Sequence, residues 1–285
     1  ADYQPSFYMA MVYRRLGEWQ KSQDLLRKVI IDEPQDALVL INIGTSFGFM
    51  HSFDTALVHF RKAIDVLPEW PGPYINAIDA CLLKDGNTAA AREVLDSLLA
   101  RIGETDNYYR IILNIYDGRY SDALTDLKSS ANDDFESPGL RYLMCGLTCS
   151  LLDDVQMTMA YYDSALVTYK KLIMENPEDS YSYSLCGLAY AGLGNATDAV
   201  IAGKTAVQLA GDETLVKQDM IVNLAKIYAM TGNYPEAIRQ VEYLLTNPSW
   251  FSLNLIRIDP SWKKLSETPE FKTMTRELSN YNKPL

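Results

Sequence analysis

SQDLLRKVIIDEP (22–34) and DTALVHFRKAIDVLP (54–68) are the stretches on which the fold turns. Each spaces its apolar residues three and four apart, which gathers them on one side of a helix. Each is closed by a proline, and Pro34 and Pro68 stand 34 residues apart. Proline ends such a segment because it has no N–H to donate and because it pushes the preceding residue out of the helical region. A fixed period of this length means stacked units, none of which can bury its apolar face alone.

Working outward from Pro68, the unit before it carries Leu40, Ile43-Gly44, Phe47, Ala56, Phe60 and Ala63. This run of a large residue, a small one, an aromatic, then Ala, Phe, Ala and Pro resembles the tetratricopeptide repeat family, and the match covers both helices of the unit. The pattern describes two antiparallel helices whose backbones approach at small residues, here Gly44 and Ala56, while Leu40, Phe47 and Phe60 fill the gaps. Two later units resemble the family as closely. One has Tyr183, Cys186-Gly187, Tyr190, Gly194, Ala199, Gly203 and Ala206; the next has Leu224-Ala225, Tyr228, Gly232, Ala237 and Pro248. Gly194 and Gly232 fall just past a first helix, where a left-handed residue is wanted. The first unit (Ala10, Tyr13, Gly17, Leu26, Pro34) and the fifth (Tyr142, Cys145-Gly146, Cys149, Tyr162, Ala165) match less fully. The third fits through Gly86, Ala91 and Leu95 with an extra residue in its turn. The fourth fits through Gly118, Ala123 and Leu127, with a short first helix.

The expected fold is therefore all-α: a right-handed superhelical solenoid of stacked antiparallel helix pairs, about seven repeats followed by a C-terminal cap. The array is expected over residues 1–248, with a joint at 129–139 in the turn-rich, acidic SSANDDFESPG, and the cap over 249–285. The second helix of the fifth unit, from Asp154 to Glu175, reads about two turns too long and is expected either to offer a contact edge or to be covered by its neighbours. The chain starts at Ala1 inside what reads as a repeat, as expected of an excised or processed chain.

Composition removes whole classes of function. With 285 residues, 48% hydrophobic and 22% charged, the chain can bury a large core. A net charge of −11 and a pI near 4.7 oppose nucleic acid, which needs a stripe of Lys and Arg. The basic pairs Arg14-Arg15, Arg61-Lys62, Lys170-Lys171 and Lys263-Lys264 read as solvated helix faces. No run approaches the roughly 18 apolar residues of a membrane span, and no secretory leader opens the sequence.

Catalytic chemistry is also missing from the pattern. Cys145 and Cys149 lie one helical turn apart, but all four cysteines, with Cys81 and Cys186, occupy packing positions and read as small buried hydrophobes. Free thiols favour a reducing, cytoplasmic setting. His51 reads as a turn residue and His59 as a helix-surface neighbour of Phe60, with no ligand cluster around either. Asp133-Asp134 and Asp153-Asp154 read as loop or helix-start residues. No nucleophile elbow, phosphate loop or zinc-binding motif is present, so neither an enzyme nor a cofactor is expected.

Function then falls to surface. The repeat spacing puts Phe7, Met11, Ile41, Asn42, Thr45, Ile75, Tyr108, Ile112, Leu143, Leu147, Ser184, Leu188, Val222 and Lys226 on a concave wall built from first helices, predominantly apolar and suited to a peptide or protein segment. The expectation is a protein-interaction scaffold, with a self-associating module, such as a homodimer, as the alternative. One branch of the family grips chaperone C-terminal carboxylates with Lys, Asn and Arg. Asn42 stands at one matching place, but Phe7, Met11, Pro73 and Ala77 hold the others, so that activity is not implied. The closing LNLIRIDPSWKKLSETPEFKTMTREL resembles the end of tetratricopeptide arrays in bacterial multidomain signalling proteins, which implies the regulatory half of such a protein. On physical grounds alone, Trp262, Leu265 and Phe271 suit a cap over the last helix pair.

Overall fold

A computed structural model describes residues 3–103, 108–130, 135 and 137–281. Among them every regular element is helical. The first fourteen helices run in seven consecutive pairs: α1 (Gln4–Arg15) and α2 (Trp19–Asp32), α3 (Ala37–Phe49) and α4 (Phe53–Val66), α5 (Pro71–Asp85) and α6 (Thr88–Ile102), α7 (Tyr108–Tyr116) and α8 (Tyr120–Ser129), α9 (Pro138–Leu151) and α10 (Val155–Glu175), α11 (Ser180–Gly192) and α12 (Ala196–Leu209), and α13 (Thr214–Met230) and α14 (Tyr234–Thr246). After them come α15 (Leu253–Ile258), a 3-10 turn at Pro260–Trp262, α16 (Lys263–Ser266) and α17 (Pro269–Tyr281).

The same local event joins the two helices of every pair: one residue turns into the left-handed region. Gly17, Gly86, Gly118, Gly194 and Gly232 do so with φ between 71° and 78°. His51 and Asp153 hold the corresponding place in the second and fifth pairs at φ 56° and 58°, a conformation that costs a residue with a Cβ about 1 kcal/mol. The extra residue expected in the third turn is absorbed by α5, which continues to Asp85. Only Gly86 and Asn87 remain to connect it to α6, and the Asn87 side chain caps that helix by accepting from the Ala90 amide at 3.0 Å. Asp36, Asp154, Asp179 and Asn195 cap α3, α10, α11 and α12 in the same way, each satisfying amides that the first helical turn leaves without partners.

The small positions behave as the spacing implies. A Cβ on Gly44 would lie 2.5 Å from the Phe60 ring, and one on Gly187 would lie 3.1 Å from the Ala199 carbonyl oxygen and 3.2 Å from the Gly203 amide. Gly146 likewise makes room for Tyr162. Phe60, Leu26, Ile111, Leu127 and Tyr169 are buried to within 1%; a core ring of this kind is worth about 3–5 kcal/mol against truncation.

The chain divides into two compact units. The first comprises Ala1–Thr105, Asp212–Gln218 and Asn247–Leu255; the second comprises Asp106–Gly211, Asp219–Thr246 and Ile256–Leu285. Residues 131–134 and 136 of the expected joint at 129–139, Asp133-Asp134 among them, lie outside the described residues. Helix α7 is short, with 9 residues, and α10 is long, with 21. The extra turns of α10 are covered on one side, where Leu172 and Ile173 pack beside the core of Leu143, Tyr162 and Cys186 and the Tyr169 ring fills the space over Gly139, while Met174 is 82% exposed. In the second unit Trp262, Leu265 and Phe271 are buried, and α17 packs on α14.

Candidate partner-binding surface

The fourteen wall residues fall into three groups, and none is fully exposed. Phe7 and Leu143 are core. Phe7 joins Ala10, Leu26, Val29, Val39 and Ile43, with Met11 at the margin; Leu143 joins Tyr162, Leu166 and Cys186. At these two positions, as at the buried Ile41 and Ser184, the protein's own packing fills the wall, through the second helix of the pair and the first helix of the next.

A second group is engaged in polar contacts that the spacing did not reveal. Lys226 lies 2.8 Å from the carboxylate of Asp259, which is 4% exposed, and its ammonium sits over the Trp262 ring. Its charge is already matched and is not offered to a ligand. Asp259 also caps the 3-10 turn through the Ser261 amide. Ser184, fully buried, accepts from the Asn223 amide at 2.9 Å, tying α11 to α13. Asn42 donates to the Leu38 carbonyl and its Oδ1 accepts from Arg14 at 3.0 Å. Burial, assisted by Arg15, lowers the Arg14 pKa to about 10. Thr45 donates to the Ile41 carbonyl, and Ile41 is itself buried.

The third group remains half-exposed. Ile75 belongs to the first unit; Tyr108, Ile112, Leu147, Leu188 and Val222 belong to the second. Tyr108 and Ile112 lean on the core of Ile111, Ile115 and Leu127. Leu147 on α9 and Leu188 on α11 lie on first helices that pack directly against each other.

Residues 6–36 match the family model of the tetratricopeptide repeat. A tetratricopeptide repeat protein from Parabacteroides merdae has a similar structure, with a TM-score of 0.50 at 16% identity over 93% of this chain and 99% of that one. The chain has the fold of a tetratricopeptide repeat array. A chain in the APC/C hetero-tetramer Cut9-Hcn1 is similar at TM-score 0.51 and 16% identity, over 90% of this array and 48% of that chain. In sequence, 64 residues are 30% identical to cell division cycle protein 27 homolog A of Arabidopsis thaliana, spanning 22% of this chain and 9% of that relative. Tetratricopeptide repeats generally mediate protein–protein interaction and are generally non-catalytic.

The titratable side chains of the array suit that role. All four cysteines are free and buried, and burial raises their thiol pKa values, to about 11 for Cys145 and Cys186, so none is a ready thiolate. His51 is the turn residue that its place implied, and its Nε2 lies 3.1 Å from the Ser249 hydroxyl; burial lowers its pKa, opposed in part by a hydrogen bond to the Ser249 backbone. His59 stacks on Phe47 and donates from Nδ1 to the Thr55 carbonyl. Among the described residues no helix is long and apolar enough to cross a membrane.

Two tryptophans that the repeat pattern passes over also shape the first unit. Trp250 packs against Phe49, Phe53 and Phe60, and Trp70 stands half-exposed between Glu69 and Pro71. The available signal was a large aromatic in a connecting segment, where small and polar residues are the rule.

Proposed function

We propose that this array is a protein-interaction scaffold that holds a peptide or protein segment against its first helices, with Leu147, Leu188, Val222 and Ile112 as the apolar contacts in the second unit. The observation that carries this reading is the pairing of α9 with α11 while Leu147 and Leu188 keep part of their surface exposed. Adjacent first helices with half-exposed leucines offer neighbouring apolar seats to one segment, the arrangement by which helical grooves take up anchor residues. The negative charge of the chain favours partners that are not themselves strongly acidic.

The test is Leu147→Glu, a change at a half-exposed position that adds a charge to the proposed seat. Peptides selected on the wild-type array by surface display are expected to bind the variant at least about tenfold more weakly at equal helicity. Equal affinity for both proteins rejects the wall. A wild-type dimer by light scattering that Leu147→Glu converts to a folded monomer assigns the wall to self-association instead.

A further inference from the structure

The helix pairs of the first unit have two ends. In hairpins packed side by side, the turns inside the pairs lie at one end and the turns between pairs at the other. The inside turns are covered by the chain itself: the Ser249 amide donates to the Phe49 carbonyl at 2.7 Å, Trp250 packs on Gly48 and Phe49, and Asn254 donates to the Leu83 and Lys84 carbonyls.

The other end, around Pro34 and Pro68, holds an open cavity of about 670 Å3 lined by Leu38, Val66, Leu67 and Trp70, with Asp36 and Glu69 at its rim. Leu38, Val66 and Leu67 are 46%, 40% and 48% exposed, so the lining faces solvent rather than the core. It is nevertheless fixed in place. Trp70 packs beside Ala37, Leu40 and Ala63, its amide donates to the Leu67 carbonyl, and Gly72 passes close under the indole. Asp36 is held by the Leu38 and Val39 amides and by the Tyr3 hydroxyl.

Charge selects the occupant. The two turns that frame the cavity, with the last residues of α2 and α4 that enter them, contain Asp32, Glu33, Asp36, Asp65 and Glu69, and the nearest basic residues in sequence are Lys28, Arg61, Lys62 and Lys84. The local field is visible in Tyr3, whose hydroxyl pKa is pushed up to about 12, first by its hydrogen bond to Asp36, then by burial and by the charges of Asp36 and Glu33.

We infer that this cavity is a docking site for a basic amphipathic segment of a partner protein, which places a bulky apolar side chain against Leu38, Leu67 and Trp70 and flanking Lys or Arg beside the carboxylates. None of the four apolar contacts proposed above for the second unit lines it. Apolar contact alone accepts any hydrophobic segment; the carboxylates make it discriminate, because an acidic segment or an anionic surface is repelled there.

The experiment measures fluorescence anisotropy of three short labelled peptides: one with a Leu-Trp centre flanked by Lys and Arg, one with those flanks changed to Glu, and one with the centre changed to Ser. The basic apolar peptide is expected to bind at least about tenfold more tightly than either control and to weaken as salt is raised. Asp65→Lys with Glu69→Lys is expected to lose about tenfold in affinity for it and to gain for the Glu-flanked peptide. Leu38→Ser with Leu67→Ser weakens it at unchanged helicity, and Leu147→Glu leaves it unaffected. The inference is overturned if no peptide binds, if basic and acidic flanks bind alike, if the charge-reversed protein binds like wild type, or if Leu147→Glu abolishes binding. A dimer that Leu67→Ser dissolves also overturns it, since the cavity then belongs to a second copy of the chain.

Discussion

Trp250 and Trp70 mark opposite ends of the helix pairs in the first unit, and their surroundings differ in almost every respect. Trp250 is seated by the chain's own later residues at the turns inside the pairs, and the helix beneath it has given up a side chain to admit it: a Cβ on Gly48 would come within 1.6 Å of the ring. Its neighbour Ser249 meets His51, the residue that takes a left-handed turn where most pairs use glycine. At Trp70 the concession is smaller: a Cβ on Gly72 would lie 3.1 Å from the indole. The indole borders an open cavity with leucines and carboxylates around it. Both indoles are half-buried, but one is seated on the helices by its own chain and the other borders an open cavity, although both ends arise from the same repeat. Local composition does not separate them; what separates them is whether a distant part of the chain arrives.

The contrast can be tested by weighing the two ends. Trp250→Ala should destabilise the protein by about 3 kcal/mol in urea unfolding, whereas Leu67→Ser at the open end should stay within about 0.5 kcal/mol. Comparable losses would erase the distinction between the covered end and the open one. Gly48→Ala should cost about 2 kcal/mol by forcing the ring out of its seat. Combined with Trp250→Ala, it should add far less than its own cost, because the clash disappears with the ring. Full additivity would place the effect of Gly48 in its own helix instead.

The smallest effect concerns pH. Burial lowers the His51 pKa below its ordinary value of 6.5, so near and below that value the unfolded chain binds more protons than the folded one. Stability from this group is fully present above 6.5 and is lost as pH falls through it. His51→Asn, which tolerates the left-handed turn, should flatten this part of the stability profile between about pH 7 and pH 5. An unchanged slope would assign it to other groups.

Much of the architecture was legible because its signals are local. Pro34 and Pro68 give the period, Gly44 and Gly187 the close approaches, and Gly194 and Gly232 the turns; each is a statement about a few neighbouring residues and their allowed conformations. The long α10 and short α7 were readable for the same reason. The third turn was misjudged by one residue, since a helix end is set by a balance of capping contacts that Asn87 tipped toward a shorter connection. The wall was legible only in outline. Spacing identifies a helical face but not what the next element does to it, so Phe7 and Leu143 became core and Lys226 found Asp259, 33 residues away.

The sequence by itself determined the helix pairs, their turns and their mutual packing, because short-range periodicity and backbone preference act within each repeat. The tertiary structure decided which apolar and charged side chains are left over for a partner. His51 meets Ser249 across 198 positions of sequence, and Trp250 closes one end of the first unit while Leu38, Leu67 and Trp70 leave the other open. Contacts between such distant residues follow from how the folded chain returns on itself, and no periodic pattern records that path.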